Sequence, residues 1–134
     1  MNEEKVILPK LDSFTDARGT IQRLFEGKEF SSLMMIESKA GAVRANHWHR
    51  ESYHLSHLLW GAMLYYELEP EKKDKEGPKI YKIMPGDSFF TKAGIFHSME
   101  FMCDSGLLVA SYLGRDMESY EKDTVRLDFD LTKL

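Results

Sequence analysis

The chain has 134 residues, enough for one hydrophobic core, and the whole of 1–134 is expected to form a single domain. Apolar residues make up 43% and aromatics 12%, which excludes a disordered chain. A formal charge of −4 leaves no basic face to release counterions from phosphates, which excludes a generic nucleic-acid binder. No stretch approaches the ~20 apolar residues that span a bilayer. The opening MNEEKVILPK lacks the basic start and apolar core of a secretory signal, so the expectation is a cytoplasmic protein without a membrane partner. The single cysteine, Cys103, cannot form an internal disulfide. Sitting among Phe101, Met102, Leu107 and Leu108, it is expected to be a reduced core thiol.

In chain order, short β-branched, aromatic and aliphatic runs predict strands over 20–25, 33–38, 42–48, 53–60, 62–68, 79–84, 87–91, 96–101, 106–113 and 124–129. Ten strands in so few residues imply an all-β sandwich or small barrel, because closure or a second sheet is needed to hide that many edges. The charged stretch 69–79, with Gly77-Pro78, reads as an exposed loop. A short helix is predicted over 115–123, where acidic residues alternate with Met117 and Tyr120.

Four of the five histidines fall in NHWHRESYHLSH, residues 46–57. On an extended strand residues i and i+2 share a face, so His47 and His49 point the same way, close enough to ligate one ion. His54 and His57 are both available for a further ligand. Their odd spacing sends one inward and the other outward on a regular strand. His97 follows the turn-rich stretch 85–94 and can return to the same cavity on a later strand. Clustered inward imidazoles are costly unless a metal or hydrogen bonds satisfy them. Trp48, between the paired histidines, faces the opposite side. One of Tyr65 and Tyr66 enters the cavity, and the Met34-Met35 and Phe89-Phe90 pairs read as core filler.

With these residues in place, GAVRANHWHRESYHLSHLLWG (41–61) resembles the first motif of the cupin family: Gly41, His47, His49 and Gly61 fall in register, and His54 stands where the family has a glutamate. GDSFFTKAGIFH (86–97) resembles the second motif through Gly86, Gly94 and His97, with Lys92 in the usual proline position. The resemblance implies a jelly-roll barrel, the cupin-type double-stranded β-helix. It also implies a divalent first-row transition metal held by His47, His49, His54 and His97, which leaves His57 on the outer face for a dimer contact or a hydrogen bond. An all-imidazole set favours zinc, nickel, iron or copper over harder ions.

The stretches 14–27, 44–49 and 98–112 further resemble the sugar-nucleotide ketoisomerases and epimerases among cupins, in which histidines move a proton beside a keto group without a metal. That resemblance implies Arg44 as a clamp for a diphosphate, whose oxygens its planar fork suits, and His47 or His49 as the proton shuttle. The chain departs from the pattern at Ala45, where those proteins have glycine. Its additional imidazoles, His54 and His97, favour a metal.

Three functions follow as expectations. The first is a metal-dependent enzyme acting on a small oxygenated substrate, a sugar or sugar-nucleotide derivative, in an isomerase- or epimerase-like reaction. The others are a three-histidine iron dioxygenase and a non-catalytic cupin that binds a sugar or metal. Exposed sheet faces and edges lead to the expectation of a homodimer.

Overall fold

The alternating runs pair into eleven antiparallel strands in a computed structural model that describes residues 5–114 and 116–134. They are β1 (Ser13–Asp16), β2 (Gly19–Gln22), β3 (Ser32–Ser38), β4 (Val43–His49), β5 (His54–Trp60), β6 (Met63–Leu68), β7 (Lys79–Ile83), β8 (Ser88–Thr91), β9 (Phe96–Phe101), β10 (Ser105–Ser111) and β11 (Thr124–Arg126). One helix, α1 (Met117–Asp123), precedes β11, and Asp116 caps it by accepting the Ser119 backbone N–H. Residues 1–4 and Arg115, with which the predicted helix opens, lie outside the described residues.

A four-stranded sheet in the order β3-β10-β5-β8 faces a five-stranded sheet in the order β11-β4-β9-β6-β7. Their inner faces meet in one apolar core. Leu58 and Phe89 come from the first sheet with Leu107 and Val109, and Met63, Tyr65, Ile83 and Phe101 from the second. Truncating a ring as buried as Phe101 costs roughly 3–5 kcal/mol, so this seam is the main source of stability.

Both outer faces are also covered in part. Leu8 and Phe25, from the segments before β3, pack on Leu55 and Phe90 of the four-stranded sheet. Leu127, Phe129 and the fully buried Leu131 pack on Tyr66 and Leu68 of the other. This second covering explains why the run predicted as a strand over 124–129 continues the ladder only through Arg126: after the Leu127 N–H donates to Asn46 O at 3.1 Å, the chain leaves β4 to bury its apolar side chains.

The N-terminal run is likewise shorter than predicted, and β2 gains an unpredicted partner in β1. Asp16 makes that hairpin turn by accepting the Arg18 backbone N–H and pairing with its guanidinium. Cys103 is exposed and not in the core. It sits in the turn between β9 and β10, where Phe101 and Leu107 point inward but residues 102–104 loop out. Met35 faces solvent while Met34 packs on the core, as alternation along one strand requires. Among the described residues no helix is long and apolar enough to cross a membrane.

Candidate active site

The site begins with an irregularity in β4. Arg44 pairs with Met99 and His47 with His97, so two β9 residues two apart oppose two β4 residues three apart. The extra residue is a β-bulge, carried by Ala45 and Asn46 at φ 68° and 59°. Asparagine tolerates this left-handed region; alanine does not do so readily, at about 1–2 kcal/mol. The Asn46 amide holds the bulge: it donates to Phe129 O at 2.7 Å and accepts from Ser98 Oγ and the Leu131 N–H at 2.9 Å each. Without the bulge Arg44 and His47 would face opposite sides. With it, both line one cavity of about 160 Å³ between the two sheets.

Three imidazoles converge beside this cavity, His47 and His97 on its wall and His49 next to them. Ligand-capable nitrogens of His47, His49 and His97 all lie within 4.8 Å of one another, and all three side chains are buried. Their ring centroids are 4.6 Å apart for His47 and His49, 4.7 Å for His47 and His97, and 5.3 Å for His49 and His97. His54 adjoins this group, its ring 4.5 Å from that of His49, and also lines the cavity. His57 points to the other side of the same strand, where Nδ1 is 2.7 Å from Ser88 Oγ.

Two of the rings have partners at Nδ1. His97 Nδ1 donates to Ile95 O at 3.1 Å. His49 Nδ1 lies 3.2 Å from the buried carboxylate of Asp123. The Ile95 carbonyl can only accept, which places the His97 proton on Nδ1 and leaves the lone pair on Nε2, the arrangement of a metal-ligating or proton-accepting imidazole. The carboxylate beside His49 Nδ1, with Thr124 Oγ1 at 3.3 Å from the same atom, favours that arrangement there. Asp123 is itself fixed, its Oδ1 accepting the backbone N–H groups of Glu51 at 2.7 Å and Ser52 at 3.3 Å. A tetrahedral ion with metal–nitrogen bonds near 2.0–2.1 Å needs donors about 3.3 Å apart. The three-imidazole set therefore fits a first-row divalent metal after small side-chain adjustments.

No family model matches the chain, and no curated protein matches it in sequence. Solved structures do match the fold. The sugar 3,4-ketoisomerase QdtA from Thermoanaerobacterium thermosaccharolyticum, in complex with TDP, aligns with a TM-score of 0.71 at 20% identity over 89% of this chain and 85% of that one. A dTDP-4-dehydrorhamnose 3,5-epimerase from Sulfolobus tokodaii aligns at 0.72 and 16%, over 91% and 76%. A 3,4-ketoisomerase from Helicobacter canadensis aligns at 0.71 and 20%, over 88% and 87%. This chain has the cupin fold.

The remainder of the cupin cavity is divided by chemistry. Met34, Ile36, Met99 and Val109 form an apolar wall, and Arg44 stands at the seam between β3 and β4. Arg44 Nε donates to Ser38 Oγ at 2.8 Å and its terminal NH2 to Glu37 O at 3.0 Å, which fixes the guanidinium at the cavity edge. Tyr65 enters the cavity. Its hydroxyl donates to Glu67 Oε2 at 2.7 Å and lies 2.7 Å from Thr91 Oγ1. Its neighbour Tyr66 turns outward and bonds Glu100. Asp123, Tyr120 and Glu67 were not singled out by sequence. Tyr120 lines the cavity with its ring 6.5 Å from that of His47, and a lone acid or tyrosine on a short helix, like a lone glutamate on a strand, carries no spacing signal.

Burial pushes the Glu67 carboxyl above its ordinary range, and the Tyr65 bond and the Lys92 charge offset this only in part. A carboxyl that binds its proton more tightly when folded makes stability fall as pH rises from about 4.5 through its folded value. Glu67→Gln keeps an acceptor for Tyr65 and removes the charge. It is expected to be more stable than the parent at pH 7.5 and equal to it near pH 4, measured by urea unfolding at both values. A parent advantage at pH 7.5 would contradict this assignment.

Proposed function

We propose that this chain is a metal-dependent cupin enzyme that moves a proton beside a carbonyl of a sugar or sugar-nucleotide substrate. The observation that carries the reading is the convergence of His47, His49 and His97 at a cavity edged by Arg44, with Asp123 behind His49. The similar solved structures, a 3,4-ketoisomerase complexed with TDP-4-keto-6-deoxyglucose among them, support the substrate class. His47, His49 and His97 would hold the ion, which when bound supplies a Lewis acid for an oxygen of the substrate.

The remaining steps belong to the chain itself. Arg44 binds an oxyanion, phosphate included, with the donors its two β3 contacts leave over. His54, the further imidazole on the cavity wall, takes the proton from the hydroxyl-bearing carbon next to the carbonyl and returns it to the former carbonyl carbon, while the hydroxyl proton passes to the former carbonyl oxygen. The apolar wall of Met34, Ile36, Met99 and Val109 excludes water and receives the less oxygenated side of the ring. The exposed Leu33 and Met35 on edge strand β3 suit a homodimer.

The His49–Asp123 contact supports a second reading, in which His49 is the base and no ion binds. Elemental analysis of the protein as purified, combined with NMR of TDP-4-keto-6-deoxyglucose incubated with it in D2O, separates the two. We expect a stoichiometric first-row metal and deuterium entering the carbon beside the keto group. Deuterium without metal would overturn the ion and leave the base reading. Metal without exchange, together with oxygen consumption, would replace both by a dioxygenase, and metal without either reaction by a binding protein.

A further inference from the structure

His57 and the segment that covers it lie outside the cavity and have no part in the chemistry above. Residues 6–8 run along the edge of β8 as an added strand: the Leu8 N–H donates to Ser88 O at 2.9 Å, the Phe90 N–H donates to Val6 O at 2.8 Å, and Ile7 bridges Phe89. The chain then crosses the outer face of the four-stranded sheet. There Lys10 Nζ donates to Gly86 O at 3.1 Å and stands 3.8 Å from Asp87. Beneath this strap is a second cavity of about 110 Å³, walled by residues 8–11, residues 22–24, Gly86, Ser88 and the His57 ring.

The His57 side chain is buried, and among the described residues its ring hydrogen-bonds Ser88 Oγ alone. The charged groups around it come from three elements. They are Lys10 on the strap, Arg23 after β2, whose guanidinium pairs with Glu26 at 3.2 Å, and Asp87 in the turn before β8. Its cross-strand neighbour on β10 is the uncharged Leu108. Among the described residues no carboxylate hydrogen-bonds the ring, so a proton added to it would join two cations in a space closed by the strap.

We propose that His57 is a pH-sensitive latch for the N-terminal strap, whose neutral ring seats residues 6–11 on the sheet and whose protonation releases them. Release would uncover the backbone edge of β8 and the patch of Leu55 and Phe90 on which Leu8 packs. The direction of the ring's titration agrees: burial first, then Lys10, hold it below the ordinary histidine value, against the opposing pull of Asp87. With the strap undocked the ring is hydrated and titrates near its ordinary ~6.5. The undocked form then binds more protons as pH falls, and its share rises by up to about tenfold per pH unit.

Amide hydrogen exchange on the intact protein at pH 7.5 and 5.0, corrected for intrinsic rates, tests this. Protection at Leu8 and Phe90 is expected to fall at pH 5.0, by up to about 30-fold for one and a half units below 6.5, with Tyr65 and Leu107 unchanged. His57→Asn can replace the Nδ1 bond to Ser88 without titrating, and it should hold protection constant across both values. His57→Gln is the second variant should that one not fold. Unchanged protection in the parent, a fall that persists in the variants, or an equal fall at Tyr65 and Leu107 would overturn the latch.

Discussion

A His97→Ala protein is expected to bind zinc, nickel or iron more than about 100-fold more weakly than the parent while keeping its fold. Outer partners of metal-bound histidines are themselves worth about 10–100-fold in affinity, and His97 supplies one of three donors that lie within 4.8 Å of one another. Asp123→Ala should fall in that 10–100-fold range, because it frees the His49 ring to turn and change tautomer. His54→Ala, next to the group, should also weaken the ion. His57→Ala should leave affinity unchanged, since that side chain is on the other face of β5. Imidazole ligands must be neutral, so the parent should release its ion as acid protonates them. Titration calorimetry with each metal, alongside circular dichroism to verify folding, reads all of these. Full affinity in His97→Ala would remove the proposed centre.

Gly61→Ala is expected to be the most damaging of the glycine substitutions in the two motifs. Gly61 has φ +97°, and a β-carbon there would lie 2.0 Å from Ser105 Oγ and 2.7 Å from the Asp104 carbonyl oxygen. The backbone penalty of about 1–2 kcal/mol then adds to an overpacking cost of about 1–3 kcal/mol. The melting temperature should fall by roughly 10 °C. Gly41 has φ +85°, but a β-carbon there would meet nothing within 4 Å, so Gly41→Ala should show the backbone part alone. Equal losses in the two variants, measured by calorimetry, would mean that the approach of β10 to this turn is not what requires glycine at position 61.

The all-β class and most strand positions were legible because period-two alternation with turn residues between is a local property. The two-layer pairing follows from the need to hide strand edges. The His47 and His49 pair was legible for the same reason, as was the divergence of His54 and His57, since parity on a strand is set by the chain itself. Arg44 and His47 follow the opposite logic. Their spacing is odd, and a regular strand would separate them; they meet because the bulge at Ala45 and Asn46 shifts the register, and that bulge is held by Phe129 and Leu131 from the far end of the chain. Cys103 and Met35 sit among apolar neighbours in sequence yet are exposed, because turns and alternate strand positions point outward whatever flanks them.

The sequence by itself determined the fold class, the paired imidazoles and the glycines of the two motifs, all features written within about twenty residues and governed by local backbone geometry. Only the tertiary structure decided that His97 reaches that pair, that Asp123 backs His49 across 74 positions, and that Tyr65 rather than Tyr66 enters the cavity. Those choices depend on which strands become neighbours. That is settled by the burial of two sheet faces against each other, a property of the whole chain that no short stretch encodes.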